Sequence, residues 1–148
     1  MRKHYAITVL AFITILWLTT GQIATATEPE PPAPLPAADI RMLARVVWGE
    51  ARGCSPDEQR LVCWTVFQRV DAGGWYGSTI KEVVTKRAQF NGYRSKNPVE
   101  SDIYDLCAEE AQKWIDGESP PTLAPYAPTA PYYFFDGDGV SNWFREVW

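Results

Sequence analysis

Ser55-Pro56-Asp57-Glu58, followed by Leu61, Val62, Trp64, Val66, Phe67 and Val70, dictates where a long and heavily apolar helix must begin. A serine at the cap position can accept from an orphan amide of the first turn. Proline suits the first helical position, where no N–H is needed, and Glu58 is spaced to reach back and close a capping box. Asp71-Ala72-Gly73-Gly74 stops the helix. So many large side chains on one helix make it central to the core.

The other elements follow from the same signals. Asp39 to Glu50 advances about 100° per residue as a helix, which gathers Ile40, Leu43, Val46 and Val47 into one stripe and puts Arg41, Arg45 and Gly49 opposite. Gly53 is expected to end this helix in a left-handed C-cap. Thr79, with Glu82 three residues on, predicts a short third helix carrying Ile80, Val83 and Val84. A fourth is expected over residues 99–116, with Gly117 at its end. After a Pro-rich loop from Pro120 to Pro131, Tyr132 to Phe135 reads as a strand that turns through Asp136-Gly137-Asp138-Gly139 toward Ser141-Asn142-Trp143-Phe144. The fold class is mainly α (α+β), a helical domain with a small C-terminal β-hairpin, and no internal repeat is visible.

The chain has 148 residues, room for one domain. Residues 1–26 read as a signal peptide, with Arg2, Lys3 and His4 ahead of an apolar Ala6–Leu18 core and Ala24-Thr25-Ala26 offering a cleavage site. An uncleaved N-terminal anchor is the alternative, and either reading places the domain outside the cytoplasm, secreted or in the cell wall. Residues 27–38, with Pro29, Pro31, Pro32, Pro34 and Pro36, read as an extended linker. Residues 39–148 form the folded domain. Leader and linker remove Arg2, Lys3, Glu28 and Glu30, so the domain keeps the net charge of −4 and presents no basic stripe for nucleic acid. A monomer is expected.

What is missing narrows the chemistry. His4 is the sole histidine and belongs to the leader. Ser-His-Asp and Cys-His nucleophile pairs, and zinc sites that need His ligands, are therefore excluded from the domain. Cys54, Cys63 and Cys107 allow at most one disulfide. Cys63 and Cys107 fall in helices and read as small buried hydrophobes, and no Cys-x-x-Cys spacing supports structural zinc. Asp136-Gly137-Asp138-Gly139 resembles the start of a calcium loop, but position 147 is Val where the closing Glu would stand, so it reads as a turn. No metal and no cofactor is expected. Carboxylates, hydroxyls, amides and aromatics remain, which suits glycoside chemistry.

Glu50 is the candidate acid. It projects between Leu43 and Val46, on the stripe that faces the core, where partial desolvation disfavours the charged carboxylate and raises its pKa. A group that must donate a proton near neutral pH needs that environment. The plainer alternative is a glutamate at a frayed helix end, exposed or paired with Arg52. Gly49 and Ala51 on either side either let a bulky substrate approach or, for Gly49, accommodate a neighbouring helix. Gln89 can offer its amide to sugar hydroxyl or acetamido groups, and Phe90 either covers an apolar sugar face or joins the core. In the strand, Tyr133 and Phe135 share one side and Tyr132 and Phe134 the other, one pair facing the core and the other a groove or solvent. Gln89, Tyr133 and Asn142 are candidates for touching substrate or orienting the acid.

Leu43-Ala44-Arg45-Val46-Val47-Trp48-Gly49-Glu50-Ala51-Arg52-Gly53 resembles the opening motif of the spore-cortex-lytic, SleB-type cell-wall hydrolase family. Glu58-Gln59, Val66-Phe67-Gln68-Arg69-Val70, Thr79-Ile80, Val83-Val84, Gln89-Phe90 and Tyr132-Tyr133-Phe134 follow in the family's order. Trp48 stands where the family commonly has Tyr, and Cys54 where an acidic residue is frequent. The resemblance implies a lysozyme-like helical fold, cleavage of glycan strands between N-acetylmuramic acid and N-acetylglucosamine, and Glu50 as catalytic acid. The expectation is an exported peptidoglycan lytic transglycosylase that works on peptidoglycan glycan strands with a single Glu acid/base. Alternatives are a hydrolytic muramidase, which usually needs a second carboxylate, and a non-catalytic glycan-binding module whose six post-leader tryptophans serve as sugar platforms.

Overall fold

The structure is a computed structural model that describes residues 32–147. The leader, the first part of the linker and Trp148 lie outside the described residues. Among the described residues four helices are followed by one hairpin: α1 (Ala37–Ala51), α2 (Pro56–Ala72), α3 (Ile80–Thr85), α4 (Ser101–Ile115), β1 (Phe134–Gly137) and β2 (Asn142–Arg145). The domain is mainly α with a small antiparallel β element. Among the described residues no helix is long and apolar enough to cross a membrane.

α2 is the central helix. Every residue from Leu61 to Arg69 is buried, and α1, α3 and α4 all pack against it. Its start carries the full capping box: the Ser55 hydroxyl accepts from the Glu58 amide, and the Glu58 carboxylate accepts from the Ser55 amide. Gly73, at φ 60°, closes its other end. Thr79 caps α3 through the Glu82 amide, as its spacing implied. The largest buried side chains, Trp64, Phe67 and Tyr132, fill the space between α2 and its neighbours. Cys63 and Cys107 meet across the α2–α4 contact as free thiols, with sulfurs 3.6 Å apart.

One buried carboxylate organises the far side of this core. Glu110 of α4 is 2 % exposed and accepts from Trp64 Nε1 at 2.7 Å, Lys113 Nζ at 2.8 Å and Arg60 Nε at 3.2 Å. Burial of a charge is tolerable because donors surround it.

Element ends differ from the sequence expectation for local reasons. α1 starts at Ala37, inside the expected linker, because two alanines extend it back to Pro36. Gly53 is not a left-handed cap; α1 ends with Arg52 in a right-handed conformation. The Ala51 carbonyl is already met by the Cys54 amide and the Gln59 side chain, so no glycine closure is needed. α4 starts two residues late, at Ser101.

β1 likewise begins at Phe134 rather than Tyr132. The Gln68 side chain takes both backbone groups of Tyr132: Oε1 accepts from its N–H at 2.9 Å, and Nε2 donates to its carbonyl at 3.2 Å. Pinned to α2 in this way, Tyr132 has no groups left for a strand partner. The two strands pair in the register Phe135↔Phe144 and Gly137↔Asn142. The hairpin packs onto the core through Phe144, while the Asn142 amide donates to Glu58 Oε1 at 2.8 Å. The N-capping glutamate of α2 thus also anchors the hairpin.

Candidate active site around Glu50

Glu50 stands in the last turn of α1 and is partly buried. Its carboxylate accepts from the Gly92 amide at 2.5 Å. It is neither free in solvent nor paired with Arg52, whose guanidinium lies 4.6 Å from the centre of the Trp48 ring instead. Burial pushes the Glu50 pKa above the ordinary carboxylate value, opposed by the Gly92 N–H and then by the positive charges of Arg69 and Arg94. The site therefore holds an acid with a raised pKa beside groups that steady its anion, as a group that must both give and regain a proton requires.

The Gly92 amide is aimed by a clamp on the face of α1 opposite the core stripe. Asn97 Nδ2 donates to the carbonyls of Arg45 at 3.0 Å and Gly92 at 2.9 Å, and Arg45 Nε returns a bond to the Asn97 carbonyl. Helix and loop approach so closely that a Cβ on Gly49 would lie 2.2 Å from the Gly92 oxygen, and one on Gly92 would lie 2.3 Å from the Gly49 oxygen. Gly49 thus serves backbone-to-backbone contact with the loop that carries the donor. Ala51 is itself buried, and both it and Gly49 line an open concavity along the end of α1.

Two open concavities meet at Glu50. One, of about 270 Å³, is lined by Glu50, Arg69, Trp75, Gln89, Asn91 and the rings of Phe134 and Phe135. The other, of about 280 Å³, runs along the end of α1 past Cys54 to the hairpin turn at Gly139–Asn142. Glu50 is the one carboxylate in the lining of either, among the described residues. The nearby acidic candidates are engaged elsewhere. Glu58 caps α2 and holds Asn142, while the exposed Asp138 accepts from the Val140 and Ser141 amides, which depress its pKa.

The other sequence candidates have mixed placements. Gln89 lines the first concavity, but its amide is committed inward: Nε2 donates to the Tyr76 carbonyl at 2.8 Å, and Oε1 accepts from Arg69 at 3.2 Å. Phe90 is 6 % exposed and packs against Phe135 and the Arg69 guanidinium, so it belongs to the core and not to the concavity wall. Tyr133 stacks on Tyr76 and lines a separate groove beside Pro120 and Pro131. Asn142 is buried next to the acid, but its side chain reaches the Glu50 carbonyl at 3.4 Å and not the carboxylate. It positions the end of α1. Phe134 and Phe135 both line the first concavity, the Phe134 ring lying against Tyr76 and the Phe135 ring against Phe90 and Phe144.

Arg69 is the residue that sequence reasoning passed over. It is 4 % exposed, donates to the Tyr133 and Gln89 carbonyls and lies against the rings of Phe90, Tyr76 and Phe134. Among the described residues it enters no ion pair. Burial lowers its pKa to about 10, with Tyr76 and Glu50 opposing that shift. A buried guanidinium bonded only to neutral oxygens beside a buried carboxyl favours the charged form of that carboxyl. An arginine within the apolar run of α2 was the available signal. Trp75, at 65 % exposure, and Asn91 are further lining residues that were not candidates.

Comparison with protein-family models, with curated proteins and with solved structures finds no match to this chain.

Proposed function

We propose that this chain is an exported peptidoglycan-cleaving enzyme, a lytic transglycosylase with Glu50 as its single acid/base. The observation that carries the reading is the position of Glu50: half-buried, with raised pKa and, among the described residues, the sole carboxylate lining two concavities that meet at it. A polymer lying across both would put a linkage over the acid. The SleB-type resemblance of Leu43 to Gly53 points to the same residue and to a lysozyme-like domain.

In the first step, protonated Glu50 donates to the glycosidic oxygen while the bond to the muramic acid anomeric carbon breaks. Positive charge develops at that carbon, and N-acetylglucosamine leaves with its hydroxyl restored. The carboxylate is held by the Gly92 N–H and favoured by the Arg69 charge. In the second step, the muramic acid C6 hydroxyl attacks the anomeric carbon and gives its proton to Glu50, closing a 1,6-anhydro ring and regenerating the acid. No second carboxylate is needed to activate water, which is why transglycosylation is preferred to hydrolysis here.

Mass spectrometry of a digest of purified sacculi tests this. Anhydro-muramic ends that vanish with Glu50→Gln are expected. Reducing muramic ends would replace transglycosylation by hydrolysis. No release from several wall types, with wall binding retained, would make the chain a glycan-binding module.

A further inference from the structure

The domain is net negative, yet its charges are not mixed evenly. Between residues 81 and 96, Lys81, Lys86, Arg87, Arg94 and Lys96 face only one acid, Glu82. From Glu100 to Glu118 the balance reverses, with seven carboxylates against Lys113. The cationic stretch is the segment that supplies Ala88, Gln89 and Asn91 to the wall of the first concavity.

Two of these cations are tied to that wall. Lys86 Nζ lies 4.4 Å from the centre of the Trp75 ring, which orders an otherwise floppy ammonium against a lining residue. Arg94 Nη1 donates to the carbonyls of Asn91 and Tyr93, both at 2.7 Å, and its charge reaches Glu50. Arg87 is exposed next to the lining residue Ala88. Among the described residues none of the three enters an ion pair, whereas Arg60, Lys113 and Arg145 all do. Three unpaired cations of the domain thus stand beside residues that line the first concavity.

We propose that the rim formed by Lys86, Arg87 and Arg94 beside Trp75 docks the carboxylates of the peptide stems borne by a glycan strand. This rests on the glycan-cleaving reading and narrows its substrate to strands that still carry their charged stems. The open part of the Trp75 ring covers an apolar sugar face, and the ammonium held against the ring meets a carboxylate branching from that sugar. A densely charged polyphosphate fits less well, because the negative body of the domain repels it.

Binding separates this idea from turnover. Protein disabled by Glu50→Gln is sedimented with teichoic-acid-free walls, either native or with carboxylates converted to neutral methylamides by carbodiimide coupling. Native walls should bind about tenfold more tightly at low ionic strength, with the advantage shrinking as salt is added. Lys86→Gln, Arg87→Gln and Arg94→Gln combined should erase the preference, and the charge-keeping Lys86→Arg with Arg94→Lys should restore it. The wall-neutralisation arm needs no rim variant, so a misfolded variant does not blunt the test. Equal binding to native and neutralised walls overturns the proposal, as does a triple variant that keeps the preference. Binding only to walls that bear teichoic acid assigns the rim to phosphate and also overturns it. Failure of wild-type protein to release fragments would count against the enzymatic reading alone, because this comparison uses no turnover.

Discussion

Gly49→Ala isolates the contact that aims a backbone donor at the acid. Gly49 lies in the last turn of α1 without a left-handed backbone, so on helix propensity alone alanine should stabilise the protein by up to about 1 kcal/mol. The structure reverses that sign. The new Cβ would sit 2.2 Å from the Gly92 oxygen, 2.5 Å from the Gly92 carbonyl carbon and 2.8 Å from Asn97 Nδ2, whereas real Cβ contacts essentially never fall under 3.0 Å. Two of the three atoms are backbone, so the loop and not a flexible side chain must retreat. Overpacking of this kind costs about 1–3 kcal/mol, which outweighs the propensity gain. The retreat also draws the Gly92 N–H away from Glu50. A displacement approaching 1 Å can cost up to about 100-fold in rate. Denaturant unfolding should show a lowered midpoint with unchanged slope, and release of muropeptides should fall about 10- to 100-fold. Gly53→Ala is the matched control, because a Cβ there meets nothing within 4 Å, and it should be neutral or mildly stabilising. If Gly49→Ala is as stable and as active as wild type, the loop does not hold the donor in the way described.

Glu50 should cost the fold stability at neutral pH. Its folded pKa is raised above the ordinary value of 4.5, so the fold favours the protonated form. That contribution is fully present below pH 4.5 and is lost as pH rises through the raised folded value. Glu50→Gln should therefore be inactive yet gain stability relative to wild type as pH climbs toward 7, and parallel melting curves from pH 4 to 8 read this directly. The same raised pKa should set the basic limb of the activity profile, with turnover falling as Glu50 ionises. Glu110→Ala, outside the lining of both concavities, strands the Trp64 N–H and removes one of two carboxylate partners from each of Arg60 and Lys113. It should cost about 3 kcal/mol in chemical denaturation, and Glu110→Gln, which retains an acceptor for Trp64, distinctly less.

Local grammar was legible in the chain wherever adjacent residues both state and satisfy the rule. Ser55, Pro56 and Glu58 build a cap among themselves, Thr79 and Glu82 do the same, and the stripe of Ile40, Leu43, Val46 and Val47 needs only helical periodicity. That stripe also singled out Glu50, because a carboxyl on a core-facing stripe is an exception visible without coordinates. What periodicity cannot express is who answers a polar group from a distance. The onset of β1 was moved by Gln68, 64 residues away from Tyr132 in sequence. The amide on Glu50 comes from Gly92, 42 residues on, and is aimed by Asn97. Gln89 looked available for substrate because free amides bind sugars, but burial left its side chain to be satisfied by the Tyr76 carbonyl and Arg69. Arg69 became part of the site because the fold wrapped aromatic rings and carbonyls around its charge. Sequence alone marked the helices and the candidate acid, since these depend on neighbours along the chain. The tertiary structure decided what surrounds the acid, since desolvation and charge act through space between segments that the chain holds far apart.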